Sequence, residues 1–229
     1  MKVAGEMFTS NFHLPGSLAP LRALWRPVIV RRYLRTAQRP SLHIGCGGNV
    51  HAGWLNTDLY NSEADTYLDA TKRFPFEDQT FERVFSEHLI EHLRIDKVRA
   101  FLNETHRVLR PGGLCRISCP DLALYARKYI EKDEGFFAKL DSGLSHAKRK
   151  KPEAAWILKT RGALFISGVV KDFHRHYWMY DFETLSKCLR EAGFRDIRQT
   201  SYNESRDAAM HGIDLEERAF ESLYVEACK

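Results

Sequence analysis

The sequence predicts an α/β fold whose core is an open, mostly parallel sheet. Short apolar strands alternate with amphipathic helices from Ser41 onward, a pattern typical of a parallel sheet with helical crossovers. A longer segment interrupts this alternation after the fifth strand, where such sheets bind ligands. The 229 residues therefore predict one domain at 41–228, with a helical cap insertion at about 121–180, preceded by a leader at 1–40.

The leader is basic and has a helical pattern interrupted by proline. Six arginines precede residue 40, namely Arg22, Arg26, Arg31, Arg32, Arg35 and Arg39. Two interpretations of residues 17–39 remain open. We favour a helix that covers one edge of the fold and points its arginines into water, and the alternative is peripheral contact with an anionic membrane surface.

Hydrophobic spacing predicts the remaining elements in order. Alternating or fully apolar runs indicate strands, and apolar residues spaced by three and four indicate helices. The predicted strands are 41–44, 54–59, 66–69, 81–86, 114–119, 195–200 and 222–227. The predicted helices are 95–109, closed by Arg110-Pro111-Gly112-Gly113, then 122–131 and 154–164 in the cap, and 181–192, closed by Gly193.

Composition excludes several classes of protein. A hydrophobic fraction of 44% is ample for a core and excludes intrinsic disorder. The net charge of +5 is mild for a nucleic-acid binder. The five cysteines form no Cys-x-x-Cys pair, so we expect no disulfide framework and a reduced, cytoplasmic location. No run of about 18 apolar residues and no signal-peptide stretch is present.

A glycine-rich turn follows the first strand directly. Gly45, Gly47 and Gly48 allow bare backbone to approach a ligand closely, because glycine lacks a Cβ and tolerates positive φ. The sequence does not match the dinucleotide-binding pattern G-x-G-x-x-G, because Val50 and not glycine stands at the sixth position. No Gly-Lys-Ser/Thr follows, which excludes a P-loop.

Two acids stand where the next two strands end. Asp58 can accept hydrogen bonds from the hydroxyls of a ribose, and Asp69, followed by Ala70, can meet an adenine amino group. No basic cluster for phosphates lies near the glycine turn. The three strand ends therefore predict a nucleoside site, and an adenosine with a zwitterionic amino-acid tail fits it better than a pyrophosphate ligand.

Several motifs together resemble one known family. Leu42-His43-Ile44-Gly45-Cys46-Gly47-Gly48 and Gly53-Trp54-Leu55-Asn56-Thr57-Asp58 are similar to the first two motifs of class I S-adenosylmethionine-dependent methyltransferases. The segments 74–86, Glu91-His92-Leu93, 104–113 and Glu191-Ala192-Gly193-Phe194 are similar to its small-molecule, type 11 branch. The resemblance covers about 41–120 and 178–228. It implies a Rossmann-like methyltransferase fold, a mostly parallel seven-stranded sheet with an antiparallel last strand, and S-adenosyl-L-methionine as cofactor.

The resemblance also implies roles for individual residues. Gly45, Cys46 and Gly47 would pass the methionine moiety, Asp58 and Leu59 the ribose, and Asp69 and Ala70 the adenine. Ser86, Glu87 and His88 would line the sulfonium and the substrate mouth. One departure is that few residues separate Gly45 from Asp58, so a tight turn or a single helical turn must replace the usual crossover helix.

Histidines are the candidate general bases for an oxygen acceptor. We consider His88, His174 and His176 as catalytic residues, and His92 as a structural residue of its loop. His88 and His92 are spaced to share a helix face, but no third ligand follows from spacing, so the sequence analysis predicts no metal. The alternative for His174 and His176 is that they pack the cap on the sheet.

The predicted function is methyl transfer to an oxygen of a small molecule or glycan. The basic run Lys148–Lys151 would favour an anionic acceptor, although a solvated helix face is the simpler interpretation. No nucleic-acid partner is expected, because the Asn/Asp-Pro-Pro-aromatic turn of base-methylating enzymes is absent. Two alternatives stay open: a non-catalytic nucleoside-binding protein, and a nicotinamide-dependent reductase, which the missing third glycine and the absent Tyr-x-x-x-Lys pair disfavour.

Overall fold

The computed structural model describes residues 22–61, 63–150, 160–166 and 176–229. In these ranges seven strands form one sheet in the order β3-β2-β1-β4-β5-β7-β6. The strands are β1 (Ser41–Ile44), β2 (Leu55–Asp58), β3 (Thr66–Tyr67), β4 (Phe81–Glu87), β5 (Leu109–Pro120), β6 (Arg195–Thr200) and β7 (Ser222–Cys228). β1 to β5 pair in parallel, whereas β7 is antiparallel to both of its neighbours. This confirms the predicted Rossmann-like architecture with its antiparallel last strand.

The described helices lie between and around these strands. They are α1 (Arg22–Thr36), α2 (Ile95–Val108), α3 (Leu122–Ile130), α4 (Glu134–Lys150), α5 (Arg161–Leu164) and α6 (Phe182–Glu191). The strand boundaries agree with the predictions within about two residues, except that β5 begins at Leu109, which pairs with Phe81 of β4. Helix α4 was not predicted, since Gly135 near its start lowers helix propensity. Of the predicted helix 154–164, only Arg161–Leu164 is described as helix, and 151–159 lie outside the described residues.

The main core lies on the face of the sheet that α2 and α6 cover. Val98, Phe101 and Leu102 of α2 and Leu185 and Leu189 of α6 are buried there against the strands. Both helices show the apolar stripe that this packing requires. The same core contains Leu42 and Ile44 of β1 and Val84 of β4, so the adjacent strands β1 and β4 are anchored in it close to the site.

The opposite face is covered by loops around a small second core. Phe85 of β4 packs there with Trp54, Met210 and Ile213. His43 of β1 stacks on His51, with ring centroids 4.9 Å apart. The connection 45–54 therefore contains no helix and lies flat on the sheet, as its short length predicts.

Helix α1 lies at the β3 edge of the sheet. Ile29, Val30, Tyr33 and Leu34 pack against the main core, and Arg26 donates a hydrogen bond to the Tyr67 carbonyl at 3.4 Å. Arginines 31, 32 and 35 are exposed. This placement fits the edge-covering interpretation of the leader. No helix within the described ranges is long and apolar enough to cross a membrane.

The cap has a core of its own. Tyr125 of α3, Phe136 and Phe137 of α4, and Leu164 of α5 are buried together beside a cavity of about 740 Å³. The cap joins the sheet where the amide of Leu122 donates to the Tyr180 carbonyl at 2.9 Å. The side chains of 143–150 and all of 151–159 and 167–175 lie outside the described residues, which leaves both the basic run and His174 outside them.

Candidate active site

The glycine turn is fixed by the end of β2. The amides of Gly45 and Cys46 both donate to the Thr57 carbonyl, at 2.8 and 3.0 Å. Gly45 and Gly47 have φ of 72° and 50°, a region that favours glycine. A Cβ built on Gly47 would meet no atom within 4 Å, whereas one on Gly45 would lie 3.0 Å from the Leu89 side chain. The backbone at Gly47 therefore borders open space on which a ligand can pack.

Asp58 stands at the end of β2, directly against this turn. Its Oδ2 accepts a hydrogen bond from the Gly47 amide at 3.1 Å, and its Oδ1 accepts from the amides of Tyr60 and Asn61 at 2.7 and 2.8 Å. The side chain is partly exposed. Because Oδ2 accepts only this one described bond, it keeps capacity for a hydroxyl donor. Gly47 and Asp58, which the sequence assigns to one cofactor site, are thus in direct contact.

Asn56 holds the connection between β1 and β2, which has no crossover helix, and it was not among the predicted site residues. Its Oδ1 accepts from the His51 amide at 2.9 Å, and its Nδ2 donates to the carbonyls of His51 and Trp54 at 3.0 and 3.2 Å. These bonds satisfy the backbone of a connection that has no regular structure. The asparagine two residues before the strand-ending acid was the signal in the sequence.

Asp69 follows β3 and caps the next turn. Its Oδ1 accepts from the amide and the hydroxyl of Thr71, at 3.0 and 2.6 Å, and its Oδ2 lies 3.1 Å from the Lys72 ammonium. Burial alone would raise the pKa of Asp69, but the bonds from Thr71 and Lys72 outweigh it and lower that pKa. Ala70 is buried beside it, while Leu59, after Asp58, is partly exposed.

Glu87, at the end of β4, is turned into the protein. Its Oε1 accepts from the Leu215 amide at 3.0 Å and lies 3.5 Å from the Ser118 hydroxyl, and its Oε2 accepts from Asn49 at 3.2 Å. Burial raises the pKa of this carboxyl. Ser86 is buried as well, and its hydroxyl has no hydrogen-bond partner in the described part of the chain. The contacts of Glu87 are those of a residue that fastens distant loops to the sheet.

Past β4, a histidine cluster surrounds one buried carboxylate. Nδ1 of His88 lies 3.2 Å from Oε1 of Glu91, and its Nε2 lies 2.7 Å from the Ser222 hydroxyl. Burial lowers the pKa of His88, but the nearby Glu91 carboxylate outweighs it, so the net shift is upward. The rings of His92 and His176 meet at 4.8 Å between centroids. Glu91, which the sequence analysis did not select, is fully buried at the centre of the cluster.

The structure thus gathers the predicted residues into two neighbouring groups. Gly45, Gly47 and Asp58 form one group at the ends of β1 and β2. His88 and His176 form the other around Glu91, and the side chain of Leu89 lies between the groups against Gly45. The first group suits a ribose and a backbone contact, and the second carries groups that can accept a proton or a cation. His174 lies outside the described residues.

Comparison with known proteins shows which family the chain resembles. Residues 42–117 match the family model described as a methyltransferase domain. A curated relative, the ubiquinone/menaquinone biosynthesis C-methyltransferase UbiE of Desulfotalea psychrophila, is 31% identical over 134 residues, which are 58% of this chain and 47% of that protein. The chain therefore spans about half the length of this relative.

One solved structure extends the comparison to the whole fold. It is a S-adenosylmethionine-dependent methyltransferase from Thermotoga maritima, described as a possible histamine N-methyltransferase. The superposition covers 93% of this chain and 97% of that chain, with a TM-score of 0.50 and 15% sequence identity. This similarity shows that the two proteins share a fold. Together with the family match over residues 42–117, these findings confirm the resemblance of this chain to S-adenosylmethionine-dependent methyltransferases.

Proposed function

We propose that this chain binds S-adenosylmethionine across the carboxyl ends of β1, β2 and β3 and transfers its methyl group to an oxygen of a small molecule or glycan. The observation that carries the proposal is the contact between Asp58 and the Gly47 amide, beside the open space at Gly47. An acid that is fixed next to bare backbone can hold a ribose while the amino-acid tail passes the turn.

The position of the reacting methyl group follows from this placement. A ribose on Asp58 and a methionine tail along Gly45 and Gly47 direct the sulfonium toward the next strand in the sheet, which is β4. Methyl transfer is an in-line displacement, so the domain contributes mainly alignment and exclusion of water. The histidine cluster that follows β4 then borders the acceptor.

The choice of oxygen as acceptor rests on this cluster. An oxygen nucleophile usually has to lose a proton, and histidines are the common general bases near neutral pH. Of the candidate bases, the structure describes His88 and His176 in this cluster, and His174 stays a candidate from the sequence. The relative's name states carbon methylation, so a carbon acceptor is the second candidate.

An anionic acceptor remains a proposal from the sequence alone. The run Lys148–Lys151 and the further basic residues of the segment 141–172 would attract such a molecule. The described helices of the cap follow β5 directly along the chain, at the carboxyl end of a strand, which is where such sheets bind ligands. Salt would then weaken acceptor binding more than cofactor binding.

Two measurements test the proposed function. Calorimetric titration with S-adenosylmethionine and S-adenosylhomocysteine should show one site, and absence of binding by both would reject the proposal. Incubation with methyl-labelled cofactor and a panel of hydroxylated, amine and carbon acceptors should place the label on oxygen. Binding without transfer to any acceptor would favour the non-catalytic alternative, and label on carbon would favour the second candidate.

A further inference from the structure

A compact set of metal-binding side chains lies just past β4. One ligand atom each from Glu91, His92 and His176 fall within 4.8 Å of one another. Glu91 is fully buried, while His92 and His176 are partly exposed. The set therefore has one closed side, formed by protein, and one side that faces outward.

The carboxylate at the centre of this set is buried and has His88 as its described charge partner. Neither oxygen of Glu91 accepts a hydrogen bond from the residues that the structure describes. Oε1 lies at ion-pair distance, 3.2 Å, from Nδ1 of His88. A buried carboxylate is retained in its charged form when it is paired or coordinates a metal. A bound cation would be a second charge partner for this carboxylate, on the side of His92 and His176.

The backbone explains why a residue so distant in sequence completes the set. The amide of Tyr177 donates to the Glu91 carbonyl at 2.8 Å, which fastens the end of the cap to the short 3-10 helix Ile90–His92. The rings of His92 and His176 are then in edge-to-face contact at 67°, and one nitrogen of each lies within 4.8 Å of the other and of a Glu91 oxygen. Spacing within either segment could not predict this third ligand.

We infer that Glu91, His92 and His176 hold a divalent transition-metal ion of the zinc type, with a fourth position open to the acceptor. Two imidazoles and one carboxylate with an open position are a donor set typical of catalytic zinc sites. Bonds of about 2.1 Å in a tetrahedral site separate the ligand atoms by roughly 3.4 Å. Metal binding would therefore bring these side-chain atoms, now within 4.8 Å, about an ångström closer together. His88 acts as a positioning residue, because it lies between Glu91 and Ser222.

The chemical use of the ion rests on the proposed function. A divalent ion that binds the acceptor hydroxyl lowers the pKa of that hydroxyl, and its proton passes to solvent. The oxygen then attacks the methyl carbon, and the carbon–sulfur bond breaks with its electron pair moving to sulfur, which leaves S-adenosylhomocysteine. The ion keeps its oxidation state throughout.

Cobalt titration of the full chain tests the site. After treatment with a chelator, the protein should bind one equivalent of Co²⁺ with visible absorption bands of a four- or five-coordinate ion, and Zn²⁺ should displace it. His92→Ala and His176→Ala should each weaken binding by at least about 100-fold. His211→Ala is the matched control, since His211 lies near the chain end and contacts the Ser205 carbonyl, and it should bind as the parent does. Absence of binding, or equal binding by all variants, overturns the inference.

Two further readouts keep the inference separate from the proposed function and from misfolding. Anomalous diffraction from cobalt-loaded parent crystals should place the ion within bonding distance of all three side chains, and a peak elsewhere overturns the site without any variant. Titration of S-adenosylmethionine into metal-free protein reports on the cofactor site alone. Loss of cobalt binding with intact cofactor binding rejects the metal only, and the reverse pattern rejects the proposed function only.

Discussion

Asp58 and Glu87 are both acids at the end of a parallel strand, yet the structure treats them in opposite ways. Asp58 is partly exposed, and its carboxylate accepts three hydrogen bonds from backbone amides of its own turn. Glu87 is buried, and its partners are the side chain of Asn49 and, 128 residues away, the amide of Leu215. The strand ends that hold them flank β1, which carries the glycine turn.

The contrast shows that a strand-end acid acquires its role from what covers it. Asp58 is surrounded by its own turn, so its carboxylate faces the ligand side. Glu87 lies beneath the loop that contains Leu215, so its carboxylate is used to hold that loop. The family resemblance implied that both residues belong to the cofactor site.

The largest expected effect is on cofactor binding by Asp58→Ala. The substitution removes a charged acceptor for a ribose hydroxyl and loosens the turn at Gly47, so we expect a loss of about 3 kcal/mol, or roughly 150-fold in Kd for S-adenosylmethionine. Calorimetric titration measures it. Asp96→Ala, at an exposed acid of α2, is the control and should bind normally; an unchanged Kd for Asp58→Ala would contradict the assignment.

Glu87→Ala should instead affect stability. It removes the acceptor of the Leu215 amide and one of the two acceptors of the Asn49 side chain, and we expect the free energy of unfolding to fall by about 2 kcal/mol. Cofactor affinity should change by less than about twofold if Glu87 only fastens the loop. Denaturant unfolding and calorimetry on the same preparation separate the effect on stability from the effect on affinity. A large loss of cofactor affinity with normal stability would indicate that Glu87 contacts the cofactor.

The pH dependence of a Glu87→Gln variant sharpens this test. Because burial raises the pKa of Glu87 above its ordinary value of 4.5, the stabilisation from this group is complete below that value and is lost as pH rises through the folded pKa. The amide stays neutral, so the variant should gain stability relative to the parent from acidic to neutral pH. If the unfolding free energies of parent and variant changed with pH in parallel, the pKa of Glu87 would not be raised by burial.

The sequence predicted those parts of the fold that depend on local patterns. β1 and β6 have the predicted boundaries, and α2 and α6 differ from the predictions by a residue or two, because alternation and helical spacing are read from adjacent residues. The contact between Gly47 and Asp58 was also predictable, since consecutive parallel strands end at the same edge.

The remainder depends on contacts between residues that are far apart in the chain. Glu91 was not selected because its neighbour His176 comes from the end of the cap, and the Tyr177 amide that brings it there has no sequence signal. The loop bonds of Asn56 were missed because a buried asparagine in a strand looks like any polar residue. Helix α4 was missed because its stability comes from packing in the cap core rather than from its propensity.

A pH-dependent effect on stability is expected at His43, which lies beneath the loop that carries the glycine turn. Burial, helped by nearby His51, lowers the pKa of His43 from 6.5 to about 3, so between these values the unfolded chain takes up a proton that the folded chain excludes. Stability should therefore fall as pH drops through this window, by up to about 1.4 kcal/mol per pH unit. His43→Phe keeps the ring beside Phe85 and should flatten the slope of unfolding free energy against pH; His211→Phe should leave it as in the parent.

The smallest effect separates two adjacent glycines of the turn. A Cβ on either Gly47 or Gly48 would meet no atom within 4 Å, but Gly47 alone of the two has a positive φ, of 50°. Without cofactor, Gly47→Ala should lower the free energy of unfolding by about 1 kcal/mol from backbone strain, whereas Gly48→Ala should change it little or raise it slightly. Denaturant unfolding of both variants measures the difference. If a cofactor tail packs on the Gly47 backbone, a saturating ligand should widen the gap between the two variants, because the new methyl group then occupies space that the ligand needs. An identical gap with and without S-adenosylmethionine would mean that the tail passes elsewhere, and that the glycine serves the turn alone.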